Sequence, residues 1–175
     1  MNINLIPTGE KAPDEFNVII EIPANGPAVK YEIEKDSGAV FVDRFINVSM
    51  SYPCHYGFIP HTLSGDGDPC DVLVYVDVPL VPGCVVKVRP IGVLLMEDES
   101  GQDEKILAVP VVKSYPGLAQ VQSYKDLPEI TLKKITHFFE RYKDLEQGKW
   151  VKVTGWQDAD KAKEMVIEGI NRAKK

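Results

Sequence analysis

From Phe16 to Val112 the chain is cut by proline and glycine into short runs rich in β-branched and aromatic residues. Only beyond Pro128 does the apolar spacing turn helical. Strands first and helices last is the pattern of an α+β domain, and closely spaced short strands point to a small barrel or sandwich. Phe16–Ile22 is β-rich and ends at Pro23, with Glu21 embedded in it. A carboxylate in an apolar run needs a partner or lines a site. Val29–Glu34 alternates cleanly, Lys35 to Gly38 closes a hairpin, and Val40–Phe45 returns with Arg44 on the face of Val40 and Val42, at the edge of a packed face. Residues 46–71 read as a long functional loop with room for one short strand near Tyr56–Ile59, and further strands are expected at Asp71–Val76, Val85–Pro90, Ile91–Met96 and Lys105–Val112.

After a loop the period changes. Ile130, Ile135, Phe138, Phe139 and Tyr142 form a helical stripe, with Pro128 in the first turn and an end near Gly148 that keeps Tyr142 and Lys143 in the last turns. A short strand at Trp150–Val153 follows. Asp158 then caps a final helix that turns Ala162, Met165, Val166 and Ile170 to one face. The expected architecture is mainly β, a barrel with two C-terminal helices packed against it.

At 175 residues, 44% hydrophobic and 26% charged, the chain is long enough for one domain with a sizeable core. A net charge of −6 argues against a nucleic-acid partner, which calls for a basic field. Three cysteines without a Cys-x-x-Cys pair fit a reducing compartment, and the N-terminus lacks the marks of a signal peptide. No apolar run approaches the length of a membrane span. A cytoplasmic protein is expected.

The chemistry centres on Gly65-Asp66-Gly67-Asp68-Pro69-Cys70-Asp71, a turn that feeds the apolar run Val72–Val76. Two unit charges about 4 Å apart repel by roughly 4 kcal/mol at an effective dielectric near 20. Such a turn either splays its carboxylates into water or gathers a hard cation. Taken alone it reads more readily as a solvated acidic turn. It matches no EF-hand, since Cys70, Asp71 and Asp77 stand at positions five, six and twelve counted from Asp66. Gly65 and Gly67 lack the third glycine of a dinucleotide loop, and Gly148-Lys149 lacks the upstream glycine of a P-loop. Cys54, His55, His61 and Cys70 fit no common zinc spacing.

The wider grouping is more informative. Carboxylates recur at Glu21, in the 66–71 turn and in the 98–103 turn, accompanied by Lys30, Arg44, Lys105, Lys143 and the tyrosines 52, 56 and 142. Converging, they would set hard cations beside a ring of cationic and phenolic donors. That equipment suits a small, highly charged phosphate substrate.

These residues stand in a recognisable order. Asp66-Gly67-Asp68-Pro69-Cys70-Asp71 resembles the signature of the soluble family I inorganic pyrophosphatases. The likeness extends through Glu21-Ile22-Pro23-Ala24-Asn25, Lys30-Tyr31-Glu32, Asp43-Arg44, Tyr52-Pro53-Cys54-His55-Tyr56-Gly57 and Gly83 to Gly92. It continues with Asp98, Asp103-x-Lys105 and His137-Phe138-Phe139-Glu140-x-Tyr142-Lys143. Cys70 departs from the pattern, which usually has an aliphatic residue there; a cysteine packs similarly.

The resemblance implies one pyrophosphatase domain over residues 1–175, a five-stranded, closed, OB-like barrel and, for bacterial members, a homohexamer. It implies an enzyme that hydrolyses pyrophosphate, delivered as its magnesium complex, to two orthophosphates, using several Mg2+ ions. Residue by residue, Asp66, Asp71 and Asp103 would hold the tightest metal, with Asp71 shared with a second. Asp98 and Asp103 would hold a metal brought by the substrate, and Glu21 a further one, helped by Glu32. Asp68 would be the general base toward a magnesium-activated water. Lys30, Arg44, Tyr56, Lys105, Tyr142 and Lys143 would bind the phosphoryl groups, Lys30, Arg44 and Tyr56 acting in catalysis as well, with Tyr52 a supporting donor.

Overall fold

The structure is a computed structural model and describes residues 2–174. In chain order the strands are β1 (Phe16–Ile22), β2 (Val29–Ile33), β3 (Val40–Phe45), β4 (His55–Phe58), β5 (Asp71–Val74), β6 (Val85–Asp98), β7 (Gly101–Gln102), β8 (Lys105–Pro110) and β9 (Val151–Asp158). Helix α1 (Glu129–Arg141) lies between β8 and β9, and α2 (Ala159–Ala173) follows β9.

The main sheet runs β1-β4-β5-β8-β6, and β6 turns back to pair with β1. Five strands therefore close into the expected OB-like ring. All its ladders are antiparallel except β5–β8, which is parallel. Closure leaves these strands no long free edge, the feature that makes a small barrel stable alone. The period of two distributes neighbouring side chains to two apolar clusters. Val72 and Val74 join Phe16, Val18, Ile20 and α2's Ala162 and Val166, while Leu73 joins Leu94, Leu107 and α1's Ile135, Phe138 and Phe139. Each fully buried side chain of this size contributes about 1.5–3 kcal/mol.

Some boundaries differ from the sequence reading. Two strands were expected around Pro90, but β6 is one strand of 14 residues. Along one edge it pairs with β1 up to Val88 and with β9 from Gly92 onward. Pro90 falls in the gap between these partners and beside a register shift with β8, where a missing N–H is tolerated. Helix α1 stops at Arg141, Pro128 is its N-cap rather than a first-turn residue, and Tyr142 is its C-cap. Lys143 lies in the run of tight turns that follows, where Asp144 N–H meets Arg141 O and Glu146 N–H meets Lys143 O. Asp158 stands at the N-cap of α2 but makes no capping bond; its carboxylate faces Lys125 at 3.2 Å. Val40 and Val42 do not form a packed face. β2 and β3 make a separate two-stranded sheet, and Val40, Phe41, Val42 and Phe45 are exposed on it.

Candidate active site

A cleft of about 360 Å³ opens where β1, the β2–β3 hairpin, the loop before β5, the β6–β8 turn and the segment after α1 meet. All fourteen residues singled out in the sequence line it: Glu21, Lys30, Glu32, Arg44, Tyr52, Tyr56, Asp66, Asp68, Asp71, Asp98, Asp103, Lys105, Tyr142 and Lys143. The sequence reading missed Lys35, Glu99, Gln102 and Lys149. Glu99 was visible as a member of the second acidic turn; Lys35 and Lys149 carry no local signal. With these, eight carboxylates and six basic side chains face one space.

The aspartate loop is shaped by its own backbone. Asp66 Oδ1 accepts from the Asp68 N–H at 3.0 Å, and Ser64 N–H donates to Asp68 O at 2.6 Å. Gly67 sits at φ +92°, a conformation that side chains resist. Thr62 Oγ1 closes the loop by accepting from Cys70 N–H at 3.0 Å while donating to Ile59 O at 2.7 Å. Asp68 is left standing in solvent, its side chain 79% exposed and 3.6 Å from Lys35 Nζ.

Glu21 is the opposite case. It is only 8% exposed, and Oε1 accepts from Ile33 N–H at 2.8 Å. No ion pair to it occurs among the described residues; Lys30 turns instead to Glu32 and to Asp43, 3.3 Å away. Burial therefore pushes its pKa up to about 8, helped by Asp71 and Glu32 and opposed by the Ile33 bond. This is a carboxyl group in need of a cation.

Lys105, 3% exposed, stands between Asp71 Oδ2, at 2.5 Å, and Asp103 Oδ1. Burial would lower its pKa, but the two aspartates outweigh it and raise it, so the ammonium keeps its proton. Lys143 Nζ reaches Asp98 Oδ2 at 2.7 Å and Glu99 at 3.4 Å, and Lys149 reaches Glu99 at 2.6 Å. Burial would raise the Glu99 carboxyl, yet these lysines pull it down to about 2. Arg44 lies 3.4 Å from Glu146 and 3.6 Å from Asp43. Burial holds the Tyr52, Tyr56 and Tyr142 hydroxyls protonated, as hydrogen-bond donors. His55 is no ligand: Nδ1 accepts from Ala24 N–H at 3.0 Å and Nε2 donates to Val78 O at 3.1 Å.

Among the described residues no three His, Cys, Asp or Glu side chains converge closely enough to hold an ion as they stand. The place between Asp71 and Asp103 is taken by the Lys105 ammonium. A cation drawn there, a Glu21 with no ion pair among the described residues, and a donor set made only of carboxylate oxygens fit hard divalent ions.

Nearly the whole chain is similar to known proteins. The family model described as inorganic pyrophosphatase matches residues 18–174. An inorganic pyrophosphatase of Agrobacterium fabrum is 59% identical over 174 residues, covering 99% of this chain and 98% of that protein. The solved structure of an inorganic pyrophosphatase from Coxiella burnetii superposes with a TM-score of 0.93 at 54% identity, covering 95% of this chain and 99% of that one. That from Thermus thermophilus superposes at 0.94 with 47% identity over the whole of both chains. Family model, near-complete coverage and superposed barrels agree: the chain belongs to the soluble family I inorganic pyrophosphatases of bacterial type.

Proposed function

We propose that the chain hydrolyses inorganic pyrophosphate to two orthophosphates, with magnesium held by the cleft carboxylates and Asp68 as general base. The observation that carries this reading is the shared cleft, where Asp66, Asp68, Asp71, Asp98, Asp103 and Glu21 face Lys30, Arg44, Lys105 and Lys143. Asp66, Asp71 and Asp103 would hold one ion, with Asp71 shared with a second; Asp98 and Asp103 would hold another, and Glu21 with Glu32 a further one. Bound there, magnesium would polarise the phosphoryl oxygens and lower the pKa of the attacking water.

The chain's own groups do the rest. Asp68 is solvated, its side chain open to the water of the cleft. It takes the proton as a water oxygen bonds to phosphorus and the bridging P–O bond breaks. Lys30, Arg44, Lys105 and Lys143 each already sit on a carboxylate, so substrate oxygens can exchange for partners within reach. Tyr56 and Tyr142, kept neutral, donate to phosphoryl oxygens, and Tyr52 supports them through ring contacts 5.4 Å from Tyr56 and 4.6 Å from Phe138. Pyrophosphate arriving as a magnesium complex meets less repulsion from a chain of net charge −6.

We read the chain as one domain over residues 1–175, working in the cytoplasm as a homohexamer and without a nucleic-acid partner. The family supports the assembly. Exposed Phe41, Phe45 and Ile130 supply apolar surface for it. No helix among the described residues is long and apolar enough to cross a membrane. Phosphate release from pyrophosphate with and without magnesium, beside a nucleoside triphosphate, tests the activity and its substrate. Release from the nucleotide alone would overturn the assignment.

A further inference from the structure

The aspartate loop has a second neighbour besides the cleft: its back lies on α2. Leu63 N–H donates to Gly169 O at 3.0 Å, and Arg172 Nη1 donates to Leu63 O at 3.3 Å. One residue of the loop is thus held by the helix through both its peptide groups. Arg172 is itself steadied by Glu168, 2.9 Å away. At the loop's other end Cys70 packs onto Gly169. A Cβ at position 169 would lie 2.4 Å from Cys70 Sγ and 3.2 Å from Thr62 Cβ.

A glycine inside a helix costs about 1 kcal/mol relative to alanine. Here it permits an approach that no side chain would allow. The space beside this contact is a cavity of about 260 Å³ bordered by Ser64, Cys70, Asp71 and Met165. The loop is therefore not backed by tight packing all along, and its depth over the barrel depends on the Leu63 and Cys70 contacts. Asp66 and Asp68 lie between those two points, and Asp71 follows the second.

We propose that α2 sets the position of the aspartate loop, with Gly169 and Arg172 as positioning residues acting through Cys70 and Leu63 on Asp66, Asp68 and Asp71. The consequence for metal and turnover rests on the function proposed above; the mechanical claim does not. An added methyl at 169 must shift the Cys70 sulfur, or the helix against it, by about 1 Å, and a shift of that size passed on to the loop costs as much as 100-fold where reacting groups must align. Loss of supporting partners typically weakens metal affinity 10–100-fold.

The test uses the full chain as wild type, Gly169→Ala, Arg172→Ala and the double variant Gly169→Ala with Cys70→Ala. Amide exchange across residues 63–70, magnesium binding by calorimetry, kcat and KM are measured for each. Gly169→Ala and Arg172→Ala are expected to speed exchange in the loop, weaken magnesium binding roughly tenfold and lower kcat more than they change KM. The double variant, which removes the sulfur the new methyl would strike, is expected to recover most of the loss. Arg172 is 44% exposed, so its variant carries the test if Gly169→Ala fails to fold. Wild-type exchange and wild-type magnesium binding in Arg172→Ala and in any folded Gly169→Ala protein would overturn the proposal. If the wild type released no phosphate, the functional reading would fall while the exchange data still judged the role of α2.

Discussion

Glu21 Oε1 accepts the Ile33 N–H at 2.8 Å, and that backbone bond, with a weaker pull from the Lys30 charge, is what offsets the burial of this carboxyl group. β1 thus delivers to the cleft an acid whose pKa is raised from 4.5 to about 8, first by burial.

The pH dependence follows from that shift. A group with a raised folded pKa stabilises the fold fully below its unfolded value and loses that contribution as pH rises through the folded one. In chelator, the wild type should therefore lose stability between about pH 4.5 and 8, by a few kcal/mol at most, relative to Glu21→Gln. Thermal unfolding of the two proteins across that range checks this; parallel curves would contradict the burial argument.

Lys105 compensates Asp71 and Asp103. Replacing it with methionine leaves two partly buried carboxylates unpaired, a loss of about 3 kcal/mol for such pairs. Denaturant unfolding in chelator should register the loss. Added magnesium should restore more stability to Lys105→Met than it adds to the wild type, because the ion takes the place of the ammonium.

Asp68→Asn should lower turnover by about 10²–10⁴-fold, the usual contribution of a general base. Because the side chain is 79% exposed, the melting temperature should stay within a few degrees of wild type. Near-wild-type phosphate release would remove Asp68 from the proton transfer.

The thiols should react in a fixed order. Burial raises all three, Cys54 to about 12, and only Cys84 is partly exposed. At pH 8 an alkylating reagent should modify Cys84 first, Cys70 slowly and Cys54 only on unfolding. Peptide mapping over time reads the order.

The sequence made much of this legible, and the misses have physical causes. β1, β2 and β3 could be read because Pro23, Gly26 and Gly38 end or separate β-rich apolar runs, whereas β4 lies in a stretch that reads as a loop. Pro90 misled, because a strand passing from one partner to another has a place where proline costs no ladder bond. The end of α1 was overrun because the residues to Gly148 keep helical composition while the backbone tightens into turns, and those turns carry Lys143 toward Asp98. The residues that line the cleft were singled out through the ordered likeness to a family. Their pairings were not, since Lys105 with Asp71 and Lys143 with Asp98 arise from strands and turns joined only by the closed barrel. Gly169 gave no signal, because its meaning lies in a contact with Cys70 across the fold.

The most direct test of the central claim is phosphate release by the purified chain from pyrophosphate, followed with magnesium, then with excess chelator, then with magnesium restored. The account predicts two phosphates per pyrophosphate consumed, loss of release in chelator and its return with the ion. No release from pyrophosphate in magnesium, or undiminished release in chelator, would contradict it.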